Sequence, residues 1–213
     1  MSAALDVRTF TVGPFAENAY IVREPDSRRA LLVDPGAEAE RLSEAIAALG
    51  VSIEAILVTH THIDHIGAVA EMARETGAPV YAPLLECHVL ATGDTGLGTV
   101  EPHDPEETLE GGEQLELAGL PIEVVFTPGH SAGHLTYALH GALFSGDVLF
   151  AGSIGRTDLP SGDLQTLLGS ISGLIDGFAA QTQVHPGHMG ATTLGRELDT
   201  NPFLAALRAP AGT

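Results

Sequence analysis

Lysine is absent from the 213-residue sequence, so the nine basic residues are all arginines, and they face 28 aspartates and glutamates. The formal net charge is −19. Nucleic acids and anionic membrane surfaces attract proteins with a basic face, because basic side chains displace the counterions of phosphates. The acidity of this chain therefore argues against both kinds of partner.

Cysteine is almost absent as well. Cys87 stands alone and cannot form an internal disulfide, so no oxidising compartment is implied. The first residues contain neither the basic segment nor the apolar core of a signal peptide. The longest stretch without Asp, Glu or Arg, residues 124–146, is interrupted by proline, glycine and histidine and does not read as a membrane span. We expect a cytoplasmic protein, and nothing in the sequence predicts its oligomeric state.

Hydrophobic residues make up 44% of the chain, which is enough for a folded core, and the length fits one domain over residues 1–213. The apolar pattern predicts two strand-rich halves. Strands are predicted at residues 7–12, 18–22, 30–33, 53–58, 79–82, 122–126, 135–139, 142–144 and 183–184. Helices are predicted at 38–49, 67–76, 164–175 and 202–207, and a long surface loop at 92–112. This order favours an α/β fold in which two sheets pack together under outer helices.

Four side chains of metal-binding type follow the predicted strand 53–58: His60, His62, Asp64 and His65. In extended backbone, residues two apart point to the same side, so His60 and His62 can converge on one point. If the chain then turns toward the next helix, Asp64 and His65 face a second point close by. Two neighbouring pairs of ligands are what a site for two metal ions needs. A polar loop with several exposed histidines is the alternative interpretation.

Three more residues of this kind each follow a predicted strand: His130 after 122–126, Asp147 after 142–144 and His188 after 183–184. Strand ends gathered at one edge of a sheet core are rigid supports for a site. Taken singly, each is typical of an ordinary turn. Taken together with the first cluster, the three residues predict one metal centre.

This combination resembles the metallo-β-lactamase superfamily, whose hallmark is a His-x-His-x-Asp-His loop followed by a distant His, Asp and His. Within it, the chain is similar to the short glyoxalase II-type, or hydroxyacylglutathione hydrolase-like, proteins. The closer resemblance lies in VGPFAENAY at 12–20, DPG at 34–36, GSIGRTDLP at 152–160, TTLGRE at 192–197 and NPF at 201–203. The resemblance covers nearly the whole chain and implies a four-layer αββα sandwich, with the site at the edge where the two sheets meet.

The resemblance also implies a role for each of the seven side chains. They form two ligand sets and a bridge: His60, His62 and His130 for one ion, Asp64, His65 and His188 for the other, and Asp147 between them. Such nitrogen and oxygen ligands suit two Zn²⁺ ions and are acceptable to iron or manganese. Asp34 would orient a ligand from behind without touching metal, although Asp-Pro-Gly is equally typical of a plain turn.

Two divalent ions that share a water lower its pKa, and the bridging hydroxide can attack a carbonyl carbon at neutral pH. We expect hydrolysis of a small-molecule thioester of the acyl-glutathione type, without a serine or cysteine nucleophile. By resemblance, Asp64 would orient the hydroxide or carry a proton. Arg156 is a candidate contact for an anionic group of the substrate, although an arginine paired with a nearby carboxylate would also explain it.

The chain departs from full-length glyoxalase II enzymes in two respects. They carry a C-terminal helical domain that helps to bind glutathione, and too few residues follow His188 to form one. Met189 stands where the family usually has glycine, and it would narrow the space beside the metal or add an apolar wall.

The alternative function is a persulfide dioxygenase. Such relatives share the Gly-Arg-Thr-Asp stretch found here at 155–158 and use a single iron, which His60, His130 and Asp147 could hold. A third class, a protein that binds without catalysis, would normally have lost one or more ligands, and all seven are present.

Overall fold

Two six-stranded sheets pack face to face in the computed structural model, which describes residues 5–208. The first sheet contains, in spatial order, β1 (Asp6–Val12), β2 (Glu17–Arg23), β3 (Arg29–Val33), β4 (Ser52–Leu57), β5 (Val80–Pro83) and β6 (Glu107–Leu109). Strands β1 to β3 are antiparallel, and β3 to β6 are parallel. Strands β3, β4 and β5 are mostly apolar because both of their faces are covered, whereas the edge strand β6 is largely exposed.

The second sheet is mostly antiparallel. Its strands are β7 (Gln114–Leu117), β8 (Leu120–Phe126), β9 (Leu135–Leu139), β10 (Ala142–Gly146), β13 (Gln183–Pro186) and β14 (Thr192–Thr193), in the spatial order β14-β13-β10-β9-β8-β7. Only β10 and β13 are parallel. Two further short strands, β11 (Leu149–Phe150) and β12 (Ser153–Ile154), form a separate ribbon.

Helices form the outer layers. The segments between the strands of the first sheet contain α1 (Ala39–Leu49), α2 (Ile63–Ile66), α3 (Val69–Thr76) and α4 (Cys87–Thr92). The second sheet is covered by α5 (Leu164–Gly177), α6 (Leu194–Thr200) and a 3₁₀ helix at Pro202–Leu207. Among residues 5–208, no helix is long and apolar enough to cross a membrane.

The layering follows from the two-residue period of the strands. On β3, Leu31 and Val33 pack between the sheets together with Tyr137 of β9, whereas Ala30 and Leu32 face the helices. A third cluster packs α5 and α6 on the outer face of the second sheet. The order helix, sheet, sheet, helix confirms the predicted four-layer αββα sandwich.

Some predicted elements differ from the structure. The loop predicted at 92–112 contains β6 near its end. Seven short elements were not predicted: α2, α4, α6, β7, β11, β12 and β14. The helix predicted at 202–207 is a 3₁₀ helix rather than an α-helix. These elements are short or lie at sheet edges, where few apolar residues repeat and the periodic signal is weak.

Candidate metal centre

Three histidines from two loops bring their ring nitrogens to one point. His60 and His62 follow β4, and His130 follows β8 of the other sheet. His130 Nε2 lies 3.2 Å from His60 Nε2 and 2.8 Å from His62 Nδ1, and those two nitrogens are 3.1 Å apart. Nitrogens bound to one tetrahedral zinc ion at about 2.0–2.1 Å would lie roughly 3.3 Å apart. The three nitrogens are therefore spaced to ligate a single ion.

A second group lies beside the first. Asp64 and His65 are in α2, and His188 follows β13. The ligand atoms of these three residues all lie within 4.8 Å of one another, and His188 Nε2 is 3.3 Å from Asp64 Oδ2. The structure thus brings together the residues of both groups that the resemblance implied.

Asp147, directly after β10, lies between the two groups. Its Oδ2 atom is 3.5 Å from His130 Nε2 and 3.5 Å from His188 Nε2. Its Oδ1 atom is 3.3 Å from His65 Nε2. One carboxylate therefore faces ligands of both groups, which is the position that a bridging ligand needs.

Asp34 lies behind His65, where the resemblance implied it. The buried Asp34 carboxylate accepts hydrogen bonds from the Thr59 backbone N–H (2.7 Å), the Thr59 hydroxyl (2.6 Å) and His65 Nδ1 (2.9 Å). Because a carboxylate only accepts, Nδ1 of His65 carries the proton and Nε2 is free for a metal. Asp34 thus orients His65 and does more than form a turn.

Three other histidines are oriented in the same way, with Nδ1 donating outward and Nε2 facing the site. Nδ1 of His130 donates to the carbonyl oxygen of Arg156 (2.8 Å), and Nδ1 of His188 donates to that of Ala16 (3.3 Å). The Thr59 hydroxyl, which donates to Asp34, accepts from Nδ1 of His60 at 3.1 Å. Outer hydrogen bonds of this kind select the ring tautomer that can bind a metal.

The electrostatics differ between the two groups. Burial lowers the pKa of His62 to about 4 and holds the pKa of His60 well below its usual value. Burial also opposes protonation of His188, but hydrogen bonds to Asp147 and Asp64 raise its pKa to about 10. The three-histidine group therefore offers neutral imidazoles, and the carboxylate-rich group attracts a cation, either protons or a metal ion.

Two unpartnered atoms test whether a metal fits. His65 Nε2 and Asp147 Oδ1 are buried and lie 3.3 Å from each other, but neither atom makes a hydrogen bond of regular geometry. A methyl group on Gly187 would collide with both of these side chains, so the space beside them depends on glycine. Buried polar atoms without partners are costly, and a divalent ion would satisfy both. The side chains present fit a metal centre.

Sequence reasoning missed Glu86, which lies just before α4. Its buried carboxylate accepts from the Thr61 backbone N–H (2.9 Å), the Thr61 hydroxyl (3.0 Å) and the Gly133 N–H (2.7 Å). It therefore joins the loop after β4 to the loop after β8, and so joins the two loops that carry His60, His62 and His130. Nothing in the local sequence around Glu86 signals this long-range contact.

His134 supports the site from behind. The ring is fully buried, its Nε2 accepts from the Asp147 backbone N–H (3.1 Å), and its Nδ1 contacts the Thr127 hydroxyl (3.1 Å). The ring also stacks on His60 with centroids 4.8 Å apart. Asn18 has a similar role, since its side chain donates to the carbonyl oxygens of Pro186 (3.1 Å) and Met189 (2.8 Å) on either side of His188.

A cavity of about 310 Å³ opens onto the two ligand groups. Within residues 5–208, Arg156 is the only arginine that lines it, and the guanidinium makes two 2.7 Å hydrogen bonds to the carboxylate of Asp158. Both side chains are exposed. Arg156 is thus at the cavity, as expected of a substrate contact, and also in the ion pair that was the alternative explanation.

Known proteins are similar to this chain over most of its length. Residues 12–175 match the family model of the metallo-beta-lactamase superfamily. Hydroxyacylglutathione hydrolase GloC from Haemophilus influenzae is 34% identical over 94% of this chain and 98% of its own length. Probable metallo-hydrolase YqgX from Bacillus subtilis is 39% identical over 92% of this chain and 96% of its own.

Solved structures agree. The B3 metallo-beta-lactamase BLEG-1 superposes with a TM-score of 0.88 and is 37% identical, covering 94% of this chain and all of its own. TTHA1623 in a di-iron-bound form superposes with a TM-score of 0.82 and is 40% identical, covering 93% of this chain and all of its own. ETHE1 from Myxococcus xanthus superposes with a TM-score of 0.79 and is 25% identical, covering 94% of this chain and 85% of its own. With the αββα fold and the His and Asp clusters in place, the chain belongs to the metallo-beta-lactamase superfamily.

Proposed function

We propose that the protein is a metal-dependent hydrolase that cleaves thioesters of the acyl-glutathione type. The observation that carries this proposal is the pair of ligand groups joined by Asp147, whose two oxygens lie 3.3–3.5 Å from three histidines. In this proposal, one ion is held by His60, His62 and His130 and a second by Asp64, His65 and His188.

Two divalent ions held there would supply a nucleophile from water at neutral pH and polarise the substrate carbonyl. Zinc is the metal that we propose, because nitrogen and oxygen ligands suit it. Asp64 lines the cavity and is half-buried, so its carboxylate can accept the proton of the attacking water. The protein needs no covalent nucleophile: Cys87 is not among the residues that line the cavity, and its thiol donates to the carbonyl oxygen of Leu84.

The thioester class is supported by the similarity to GloC, which spans nearly all of both chains. The carrier thiol and the acyl group are the finer part of the proposal. The exposed Arg156 is the candidate contact for a carboxylate of a glutathione-type carrier, in exchange for its pairing with Asp158.

The test uses the full chain, loaded separately with zinc, manganese and iron. Elemental analysis gives the metal content per chain, and a thiol reagent follows release of the carrier from a panel of thioesters that includes a hydroxyacyl-glutathione. A β-lactam is tested beside the thioester panel, because BLEG-1 is described as a B3 metallo-beta-lactamase. We expect two ions per chain and thiol release. Metal-replete protein that cleaves no thioester of the panel would contradict the proposal.

A matched pair of variants assigns the activity to the site. His62→Ala removes a nitrogen of the three-histidine group and should abolish most of the thiol release. His103→Ala removes a histidine that lies outside the cavity and pairs with the carboxylate of Glu106 at 3.3 Å, so it should behave as the unmodified protein. Equal activity in both variants would show that the hydrolysis does not depend on the proposed ligands.

A persulfide dioxygenase with one iron is the second candidate. It is favoured by the contacts of His130 Nε2 with His60 Nε2 at 3.2 Å and with Asp147 Oδ2 at 3.5 Å, which place a possible iron triad together. His62→Ala and a further variant, His188→Ala, discriminate between the two functions, because His62 and His188 are outside that triad. Oxygen uptake with glutathione persulfide that survives His188→Ala would favour the dioxygenase, whereas loss of thioester cleavage in that variant favours the hydrolase.

A further inference from the structure

Exposed apolar surface is concentrated at the entrance to the metal-site cavity. Five large hydrophobic side chains in residues 5–208 are more than half exposed. Three of these five, Phe15, Leu97 and Met189, line this cavity. Isolated exposed hydrophobic residues are common, but a group of them around a concave site marks a binding surface. We refer to these three side chains as the apolar collar.

The collar is built close to the ligand groups. Phe15 belongs to the turn between β1 and β2, where the carbonyl oxygen of Ala16 accepts from His188 and the backbone of Glu17 pairs with that of His188. Leu97 lies in a turn closed by pairing between residues 94 and 99, and the neighbouring Gly98 packs against the side chain of Ile63. The collar therefore surrounds the two segments that carry Asp64 and His188.

Met189 occupies an unfavourable backbone conformation. Its φ angle is 68°, in the left-handed region that glycine adopts freely and a long side chain adopts rarely. The Asn18 side chain holds this conformation by donating to the Met189 carbonyl oxygen at 2.8 Å. Glycine at this position would avoid the strain. What methionine adds in its place is a side chain that is exposed at the cavity mouth. Backbone strain of this kind is concentrated at functional sites.

We propose that the apolar collar binds a hydrocarbon group of the substrate next to the scissile bond, and that Met189 determines this specificity. The inference rests on the proposed thioester hydrolysis and names its substrate class: thioesters with an apolar acyl or thiol group. A methionine suits this role because its unbranched, polarizable side chain adapts to hydrocarbon chains of different length. The one arginine that lines the cavity in residues 5–208 is paired with Asp158, and most of the exposed lining is apolar.

The test compares two series of thioesters on the metal-loaded full chain. In one series the acyl chain is lengthened while the thiol stays the same. In the other, the thiol of an acetyl thioester is lengthened, so the two series show whether the collar contacts the acyl or the thiol side of the substrate. In one series we expect kcat/KM to rise by about two- to fourfold per added methylene. Met189→Gln keeps the length and the strained backbone but removes the apolar character, and it should flatten this rise. Met189→Gly should flatten it too and should also raise Tm.

A matched control separates backbone strain from binding. Asp26 has a φ angle of 63° in the exposed turn between β2 and β3, at the far end of β2 from Glu17. Asp26→Gly should relieve similar strain, raise Tm and leave the dependence on chain length unchanged. A dependence that changes equally in Asp26→Gly and Met189→Gly would overturn the assignment to Met189.

A binding measurement keeps this inference separate from the proposed function. Alkanethiols from ethanethiol to hexanethiol are titrated into the zinc-loaded chain by calorimetry. If the protein hydrolyses no thioester, the proposed function fails, yet affinity that increases with chain length and loses this increase in Met189→Gln still supports the collar. Affinity that is independent of chain length, or equally dependent on it in both Met189 variants and the unmodified chain, would overturn the collar.

Discussion

Asp34→Asn is the most informative single change at the metal centre, because it alters one atom of a buried carboxylate that contacts metal-site residues. Asp34 adopts a φ angle of 45°, which asparagine tolerates, so the backbone should not be strained further. If the new amide nitrogen takes the place of Oδ2, it meets the Nδ1–H of His65, and this clash is relieved only if His65 moves its proton to Nε2, the nitrogen that faces the metal site. If it takes the place of Oδ1, it faces the backbone N–H of Thr59. Either orientation sets a donor against a donor.

The expected magnitude follows from these contacts. A buried donor left without an acceptor costs about 1–3 kcal/mol. Every 1.4 kcal/mol corresponds to about tenfold in binding, and loss of an outer partner of a metal ligand costs about 10–100-fold in metal affinity. We therefore expect the ion held by Asp64, His65 and His188 to bind about 10–100-fold more weakly in Asp34→Asn. Competition with a chromogenic chelator measures the affinity of each ion in the full chain.

Two further variants make the result specific. Thr59→Val leaves the bond between Asp34 and His65 intact but removes the hydroxyl that accepts from His60, so it should weaken the ion of the three-histidine group instead. Asp6→Asn makes the same chemical change on a carboxylate that is held by Arg23 at the far end of β1, and it should leave both affinities unchanged. Unaltered affinity for both ions in Asp34→Asn would refute the role of Asp34 in orienting His65.

Three other predictions concern the supports of the site. Removing the metals with a chelator should lower Tm by about 5–11 °C for each site that was filled at a free metal concentration of about 100 times its Kd. Scanning calorimetry measures this shift, and an unchanged Tm would mean that the metals do not stabilise the fold. Glu86→Gln should lower the free energy of unfolding by about 1–3 kcal/mol in urea, because the new amide nitrogen must face the backbone N–H of either Thr61 or Gly133. A decrease below about 0.5 kcal/mol would contradict this. Gly187→Ala should weaken metal binding by on the order of tenfold or more in the chelator assay, because the added methyl collides with Asp147, and wild-type affinity would show that the space is not needed.

The sequence was sufficient to predict the parts of the fold and site that depend on local pattern. The buried strand β4 is a compact apolar run, and the alternation of His60 and His62 after it implies convergence on one point, as their 3.1 Å separation shows. Helices α1 and α3 end at Gly50 and Gly77, both in the left-handed conformation that glycine favours. In each case the physical cause acts within a few residues, so it can be read along the chain.

Contacts between distant segments could not be predicted in this way. Glu86 in the first half accepts from Gly133 in the second, and Asn18 donates to Met189 across 171 positions. A glutamate before a short helix and an asparagine in a strand have ordinary local surroundings. Their importance arises only after the two sheets have packed, when each has to satisfy a buried or constrained backbone group. The left-handed backbone of Met189 likewise has no signal in the amino-acid sequence around it.

The division of the ligands between the two sheets connects the fold to the proposed chemistry. The loop and short helix that follow β4 supply His60, His62, Asp64 and His65, whereas the second sheet supplies His130, Asp147 and His188. Each proposed ion therefore has ligands from both sheets, and neither half of the chain can complete a site alone. Metal binding should consequently favour the packed arrangement of the two sheets over the separated one. Conversely, the large buried layer between the sheets holds the ligand nitrogens in place before a metal binds, which is the preorganisation that catalysis requires.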